Sequence, residues 1–396
     1  MKAAKWVKGR KNIFQTLQTT IPETDKIIWF HCSSLGEFEQ GIPIIERIRK
    51  QQTQQKILVT FFSPSGLEAI KNYESLDHIF YLPMDSKKNA KRFLDIVNPS
   101  LVIFVKYEFW YYYLQAIKKR NIPLLLVSAV FRKEQPFFKW YGVLHRKMLS
   151  FFTHIFVQND GSKQLLSEIG LKEKTSVCGD TRFDRVMEIA ETHEVNQAID
   201  AFVGANKLMV AGSTWKDDEE MIHEVMTSLN DPLLKLIIAP HEIDAKHLKE
   251  IKKLFPESVY YSEFKQAVSE MKSKNVLIID NIGLLSRLYR YSYITYVGGG
   301  FTHDGVHNVP EAAVYGRPVL FGPNFQKYSE AVELIETGGG FSVDSPEELM
   351  KQISILLIDH QVYRQRSEAS KNYIMKKTGA VEKIIQYIQE NRLLTS

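Results

Sequence analysis

Short apolar runs alternate with helical patterns along the whole chain, and that alternation predicts an α/β protein with parallel sheets covered on both faces. A second series of the same kind starts at Lys207, after a polar, helical stretch at 181–205. At 396 residues the chain is also long for one domain. These observations predict two Rossmann-like domains, 1–204 and 205–396, with their sheets facing a central cleft. The unusual motifs follow predicted strands, which is where ligands bind in open parallel sheets.

In the first series the spacing predicts strands at 27–31, 56–62, 79–82, 101–105, 123–128, 154–157 and 175–178. After the first of these comes CSSLGEFEQG, then a helical pattern through Ile44, Ile45 and Ile48. Ser33, Ser34 and Gly36 fall in the loop, and Glu37 in the helix's opening turn. A carboxylate there can be a partner of the helix dipole. It can equally be a general base beside the ligand crevice. Both readings stand on these residues alone.

The second series predicts strands at 207–211, 234–239, 258–261, 276–280, 293–297 and 318–321. Its most distinctive stretch is GGGFTHDGVHNVPEAAVYGRPVLFGP at 298–323. Three glycines follow a strand and permit close backbone approach. Asn308 and Pro310 open a small-residue helix that ends at Gly316. Free N–H groups at such a start suit a phosphate, and Glu311 suits ribose hydroxyls.

Other classes recede. A hydrophobic content of 44% and a charged content of 24% are ordinary for a globular protein, and the formal net charge is +5. Only Cys32 and Cys178 are present, so a reducing compartment fits and a disulfide framework does not. No apolar run reaches a membrane span, and residues 1–18 are basic without the apolar core of a signal peptide. There is no P-loop, and His303 stands where a third dinucleotide-binding glycine would fall. His303 and His307 are four apart, but Gly305 lies between them and no third metal ligand is apparent. His31 and Cys32 adjoin on a strand and point to opposite faces, so they are no nucleophile pair.

The stretch Phe131–Phe152 interleaves Arg132, Lys133, Lys139, Arg146 and Lys147 with seven aromatics. It fits an amphipathic helix with core aromatics, or a basic aromatic face meeting anionic lipid. Nucleic acid fits less well, since no reader fold accompanies the charge.

Several segments, in order, resemble the Kdo transferases, GT-B glycosyltransferases that move 3-deoxy-D-manno-octulosonic acid (Kdo) in lipopolysaccharide synthesis. They are SSLGEFEQ at 33–40, TFFSPSG at 60–66, PMD at 83–85, YEFWYYYL at 107–114, FVQND at 156–160, GDTRFDRV at 179–186, GSTWKDDEE at 212–220, APHE at 239–242 and the block from Gly298. The resemblance implies a GT-B fold and inverting transfer from CMP-Kdo to a glucosamine hydroxyl of a lipid A precursor. It makes Glu37 the catalytic base and assigns Ser213, Thr214, Pro240, His241, Gly299, Gly300, Asn308 and Glu311 to the CMP sugar. Ser33, Ser34, Gly36, Glu108, Arg132, Lys139 and Arg146 are the expected acceptor contacts. The family's E-T-E-x-W reads Lys106-Tyr107-Glu108-Phe109-Trp110 here, so only Glu108 and Trp110 carry over. No cofactor or metal is expected beyond CMP-Kdo as donor substrate. The family's frequent apolar anchor is missing, so peripheral attachment to the cytoplasmic face of the inner membrane is expected. Another GT-B enzyme using a UDP-sugar, or a non-catalytic two-domain binding protein, are the alternatives.

Overall fold

The computed structural model describes residues 2–51, 54–70, 73, 75–192, 195–268 and 273–394. Two compact units form, Met1–Arg185 with Lys377–Ser396, and Val186–Lys376. The first contains strands β1 (Ile27–Cys32), β2 (Lys56–Phe61), β3 (His78–Tyr81), β4 (Leu101–Val105), β5 (Leu124–Ala129), β6 (His154–Val157) and β7 (Thr175–Val177). They form one sheet in the order β3-β2-β1-β4-β5-β6-β7, and every pairing in it is parallel. All six residues of β1 are buried, as a strand covered on both faces requires.

Side-chain alternation splits this sheet's core in two. Trp29, Leu58, Val102, Phe104 and Leu126 enter one cluster. Ile28, Phe30, Cys32, Val59, Ile103 and Val105 enter the other. The period of two in a pleated strand therefore separates His31 from Cys32 as expected.

The second unit holds β8 (Lys207–Thr214), β9 (Leu234–Pro240), β10 (Val259–Tyr260), β11 (Val276–Ile278), β12 (Ile294–Val297), β13 (Val319–Phe321) and β14 (Gly340–Ser342). Their order is β10-β11-β9-β8-β12-β13-β14, again parallel throughout. The strand β14 was not expected. It has three residues, begins with Gly340, and so carries little pattern of its own.

The expected boundary at 204/205 needs correction at both ends. The helix Gln197–Val203 buries Ile199 and Phe202, and Phe202 meets Phe264 edge to face in the second unit. At the other end the helix Ala380–Glu390 places Ala380, Val381, Ile384, Ile385 and Ile388 in the core of the first sheet. Each buried isoleucine contributes about 1.5–3 kcal/mol there, so the stripe fixes where the helix belongs. Asp184 accepts from Gly379 N at 2.8 Å and Ala380 N at 3.1 Å, capping this returning helix from beside the place where the chain leaves the unit.

Candidate functional site

In each sheet the strand order reverses between two neighbours, β1 and β4 in the first, β8 and β12 in the second. The loops beyond those strand ends flank the crevice where such sheets take ligands.

At the first switch point the helix Leu35–Gln51 opens directly after β1. Phe38 N donates to Ser34 O, and the Ser34 hydroxyl donates to the Glu37 carboxylate. Glu37 is half-buried in the first turn, near free N–H groups that favour negative charge. The helix-start reading is thus satisfied by the same position that a base would occupy. Gly36 is exposed, and Ser33 and Ser34 are half-buried. Tyr107 stands near this carboxylate. Burial raises its pKa, with the Arg132 charge opposing and the Glu37 charge adding. Glu37, Tyr107 and Arg132 therefore share one neighbourhood. Lys106, just before Tyr107, has φ +66°, a left-handed conformation rare for a lysine and typical of strained sites.

Glu108 has a different role from the acceptor contact expected of it. Only 6% of it is exposed. Its Oε2 accepts from Trp110 Nε1 at 2.6 Å and lies 3.0 Å from His31 Nε2. Burial pushes the carboxyl up, but bonds from His31, Ser33 and Trp110 outweigh it and leave the pKa below the ordinary value. His31 Nδ1 continues to Thr60 Oγ1 at 2.8 Å, which also accepts from Trp29 Nε1 at 2.8 Å. Glu108 thus ties the loop bearing Ser33 to the buried floor. Buried and bonded beneath the loop, Glu108 positions the site instead of standing open to a ligand. The signal for this network was present in alternate positions of β1, Trp29 and His31, but nothing in the sequence paired them with Glu108.

The basic aromatic stretch divides between its two readings. Phe131, Phe137 and Phe152 are buried. Trp140, at 89% exposed, and Tyr141, Val143 and Leu144 face outward. Lys139 is half-buried and Arg132 exposed. Arg146 corrects the expectation: its Nη1 donates to Phe137 O at 3.1 Å and Lys139 O at 2.8 Å, so its charge holds the turn.

At the second switch point the backbone is packed against backbone. A Cβ on Gly300 would stand 2.5 Å from Gly322 Cα, and one on Gly298 would stand 2.4 Å from Ser213 O. Ser213 has φ +53°, where β8 slips register between Gly212 and Thr214. Asp218 gathers the loops: its Oδ2 accepts from Gly299 N and Trp215 N, each at 2.9 Å, and Oδ1 from Tyr296 Oη at 2.7 Å. Burial raises the Asp218 pKa against the pull of these bonds.

Of the expected donor contacts, Ser213 and Glu311 are half-buried, His241 is exposed, and Gly299 and Gly300 offer backbone only. Thr214 is fully buried with its hydroxyl on Glu219 Oε1 at 2.8 Å, and Pro240 is buried at the end of β9, so both shape the loop instead of lining it. Asn308 Nδ2 donates to Glu311 Oε1 at 2.7 Å, while Asn308 Oδ1 is buried with no hydrogen-bond partner among the described residues. The following helix is short, Val309–Ala313. Trp215 escaped the sequence reading as a site residue, and His307 entered it only as a metal-ligand candidate. Trp215, His241 and His307 lie with near-parallel rings, the two imidazoles 4.3 Å apart. Trp215 Nε1 donates to His307 Nε2 at 3.0 Å. Burial and then the His241 charge lower the His307 pKa to about 4, so it stays neutral and able to accept. His303 is 95% exposed on its side chain and takes no part in this stack.

Two parallel Rossmann-like units with loops gathered at each switch point define the GT-B class, shared by glycosyltransferases and nucleotide-sugar epimerases. The fold matches a putative UDP-N-acetylglucosamine 2-epimerase from Listeria monocytogenes with a TM-score of 0.63 at 16% identity, over 93% of this chain and 97% of that one. Within this class, residues 8–185 match the family model for 3-deoxy-D-manno-octulosonic-acid transferase (kdotransferase). A 3-deoxy-D-manno-octulosonic acid transferase of Aquifex aeolicus is 29% identical over 83% of this chain and 86% of its own. A bifunctional glycosyltransferase/methyltransferase of Fusobacterium nucleatum is 28% identical over 93% of this chain, which spans 56% of that relative's length. Residues 8–185 thus match the Kdo transferase family, and over 83–91% of its length the chain is similar to glycosyltransferases of that kind.

Proposed function

We propose that this enzyme transfers Kdo from CMP-Kdo, with inversion, to a hydroxyl of a lipid A precursor at the cytoplasmic face of the inner membrane. The observation that carries the reading is Glu37, half-buried at the first switch point with Ser34 donating to its carboxylate. CMP is already a good leaving group, so the protein's task is to place the acceptor and favour an oxocarbenium-like sugar. Glu37 takes the acceptor proton as the oxygen attacks the anomeric carbon. The bond to the CMP phosphate breaks on the opposite face, and CMP departs with the electron pair. On the second unit, Ser213, His241, the Gly299 and Gly300 backbone, Asn308 and Glu311 hold the CMP part. CMP carries one phosphate, so no metal is required to bridge a diphosphate.

Incubating the protein with CMP-Kdo and a lipid A precursor, and weighing the product, tests the reading. A mass increase of one or more Kdo units is expected. Transfer from UDP-sugars in place of CMP-Kdo would overturn the donor assignment.

Docking to the bilayer is assigned to Trp140, Tyr141, Val143 and Leu144 with Arg132, Lys133 and Lys139 around them. Exposed apolar side chains beside cations suit an anionic lipid surface. Cosedimentation with anionic vesicles should fall as salt rises, because the attraction is screened over about 8–10 Å. Changing Trp140 and Leu144 together to Ser should abolish it; unchanged vesicle binding would place the docking face elsewhere.

A further inference from the structure

We propose, building on the CMP reading above, that His247 is a positioning residue for the donor: as an imidazolium it clasps two donor loops together, so donor affinity falls as pH rises. Hydrogen bonds close a ring at the second switch point. His241 N donates to Thr214 O at 3.0 Å, and the Thr214 hydroxyl donates to Glu219 Oε1 at 2.8 Å. Glu219 Oε2 lies 2.9 Å from His247 Nε2. His247 Nδ1 lies 3.1 Å from Glu242 O, one residue beyond His241. The loop after β8 and the loop after β9 are thereby joined twice, once through backbone and once through His247.

Both partners of His247 are acceptors. The Glu242 carbonyl can only accept, and Glu219 is 1% exposed with its other oxygen on Thr214. A neutral imidazole has one N–H and serves one of them, whereas the imidazolium serves both. Burial alone would lower the His247 pKa, but Glu219, the Glu242 carbonyl and Asp244 outweigh it and raise it above the ordinary 6.5. Burial lifts the Glu219 carboxyl too, yet the imidazole is the more basic partner and keeps the proton. The other described groups around the ring are engaged elsewhere. Asp218 holds Gly299, Trp215 and Tyr296, Lys216 pairs with Glu220 and Lys246 with Glu250, His223 packs on Phe255, and Tyr260 donates to Leu248 O. The Glu242 side chain is exposed, and β11 brings only Val276, Leu277 and Ile278. The clasp is therefore complete below the ordinary 6.5 and opens as pH rises through the raised folded value. His307 titrates near 4 and is neutral throughout this window.

Calorimetry with CMP on the full chain and on His247→Gln, from about pH 5.5 to about pH 8.5, tests the clasp beside an NMR titration of the His247 Cε1 proton. At the acid end the parent should bind CMP about tenfold tighter than the variant, and at the alkaline end the two should converge. The ratio at each pH cancels titration of the CMP phosphate and of His241. His247 should titrate above 6.5 in the free protein. Saturating CMP should raise its proton affinity by the same factor as the affinity gap, because coupling is reciprocal. A gap that stays constant with pH, no gap at all, or a His247 titration that CMP leaves unmoved would each overturn the clasp. Should His247→Gln fail to fold, the parent's titration with and without CMP decides by itself. CMP that binds the parent at no pH would overturn the donor reading instead. The free titration of His247 then decides the clasp, and a value at or below 6.5 overturns it.

Discussion

At the first switch point the loops are held by side chains buried beneath them: His31, Glu108, Trp110 and Thr60 form a polar network under Ser33. At the second, glycine backbone lies against glycine backbone, and one carboxylate, Asp218, collects the loop amides. The contrast matches the two tasks proposed above. A residue that must receive a proton needs a fixed side chain in a set environment. A nucleotide needs close approach to backbone, which only missing Cβ atoms allow. The first edge is therefore expected to fail through charge and orientation, the second through shape and affinity.

The largest effect should come from Glu37, the proposed base. Glu37→Gln is expected to lower turnover by roughly two or more orders of magnitude while CMP affinity stays nearly intact. Near-normal turnover would dissolve the contrast at its strongest point. Next comes Glu311→Ala, which would remove the charge-assisted bonds proposed to the donor, worth about 1.5–3 kcal/mol. Calorimetry should show CMP binding weakened by roughly one to two powers of ten. An unchanged affinity in a folded variant would take Glu311 out of the donor contacts.

Glu108→Gln should cost about 1–3 kcal/mol in chemical denaturation, because buried donors lose a charged partner. CMP binding should be untouched; a CMP defect would mean the two edges are not separable. The smallest effect is a pH slope. His307 titrates near 4 when folded, against the ordinary 6.5, so between those values the unfolded chain binds more protons. Stability is lost as pH falls through that window, by about 1–2 kcal/mol after allowing for partial exposure. Glu108 acts in a lower window, since its depressed carboxyl protects the fold above the ordinary 4.5 and stops doing so as pH falls through its folded value. His154 in the first unit shares the upper window, also titrating at about 4 because of burial. Melts of His307→Gln against the parent therefore isolate the second edge, and an identical slope would remove His307 from the account.

Much of this was readable in the chain. Thirteen of the strands announce themselves as apolar runs, and GGGF with Asn308 and Glu311 marks the second edge. What was hidden depends on long-range pairing. The union of His31 with Glu108 joins residues on different strands, and periodicity says nothing of partners. Arg146 reads as a surface cation until its guanidinium is seen on Phe137 O and Lys139 O. Trp215 follows Ser213 and Thr214 in the sequence, yet only the stack with His241 and His307 distinguishes it from a core tryptophan. The helix at Ala380 shows its apolar stripe plainly. Which sheet receives that stripe is a question of tertiary contact.

That last helix has a consequence for how the protein is made. The first unit's core includes Ala380, Val381, Ile384, Ile385 and Ile388, residues translated after all of the second unit. Domains usually fold in the order they leave the ribosome, but here the earlier unit waits, with one face of its sheet partly uncovered, until the helix Ala380–Glu390 emerges. The second unit, by contrast, is whole at Lys376 and can close first. Synthesis and folding then run in opposite orders. Emergence of residues 379–388 becomes the step that completes the part made earliest, and Asp184 receives the amides of Gly379 and Ala380.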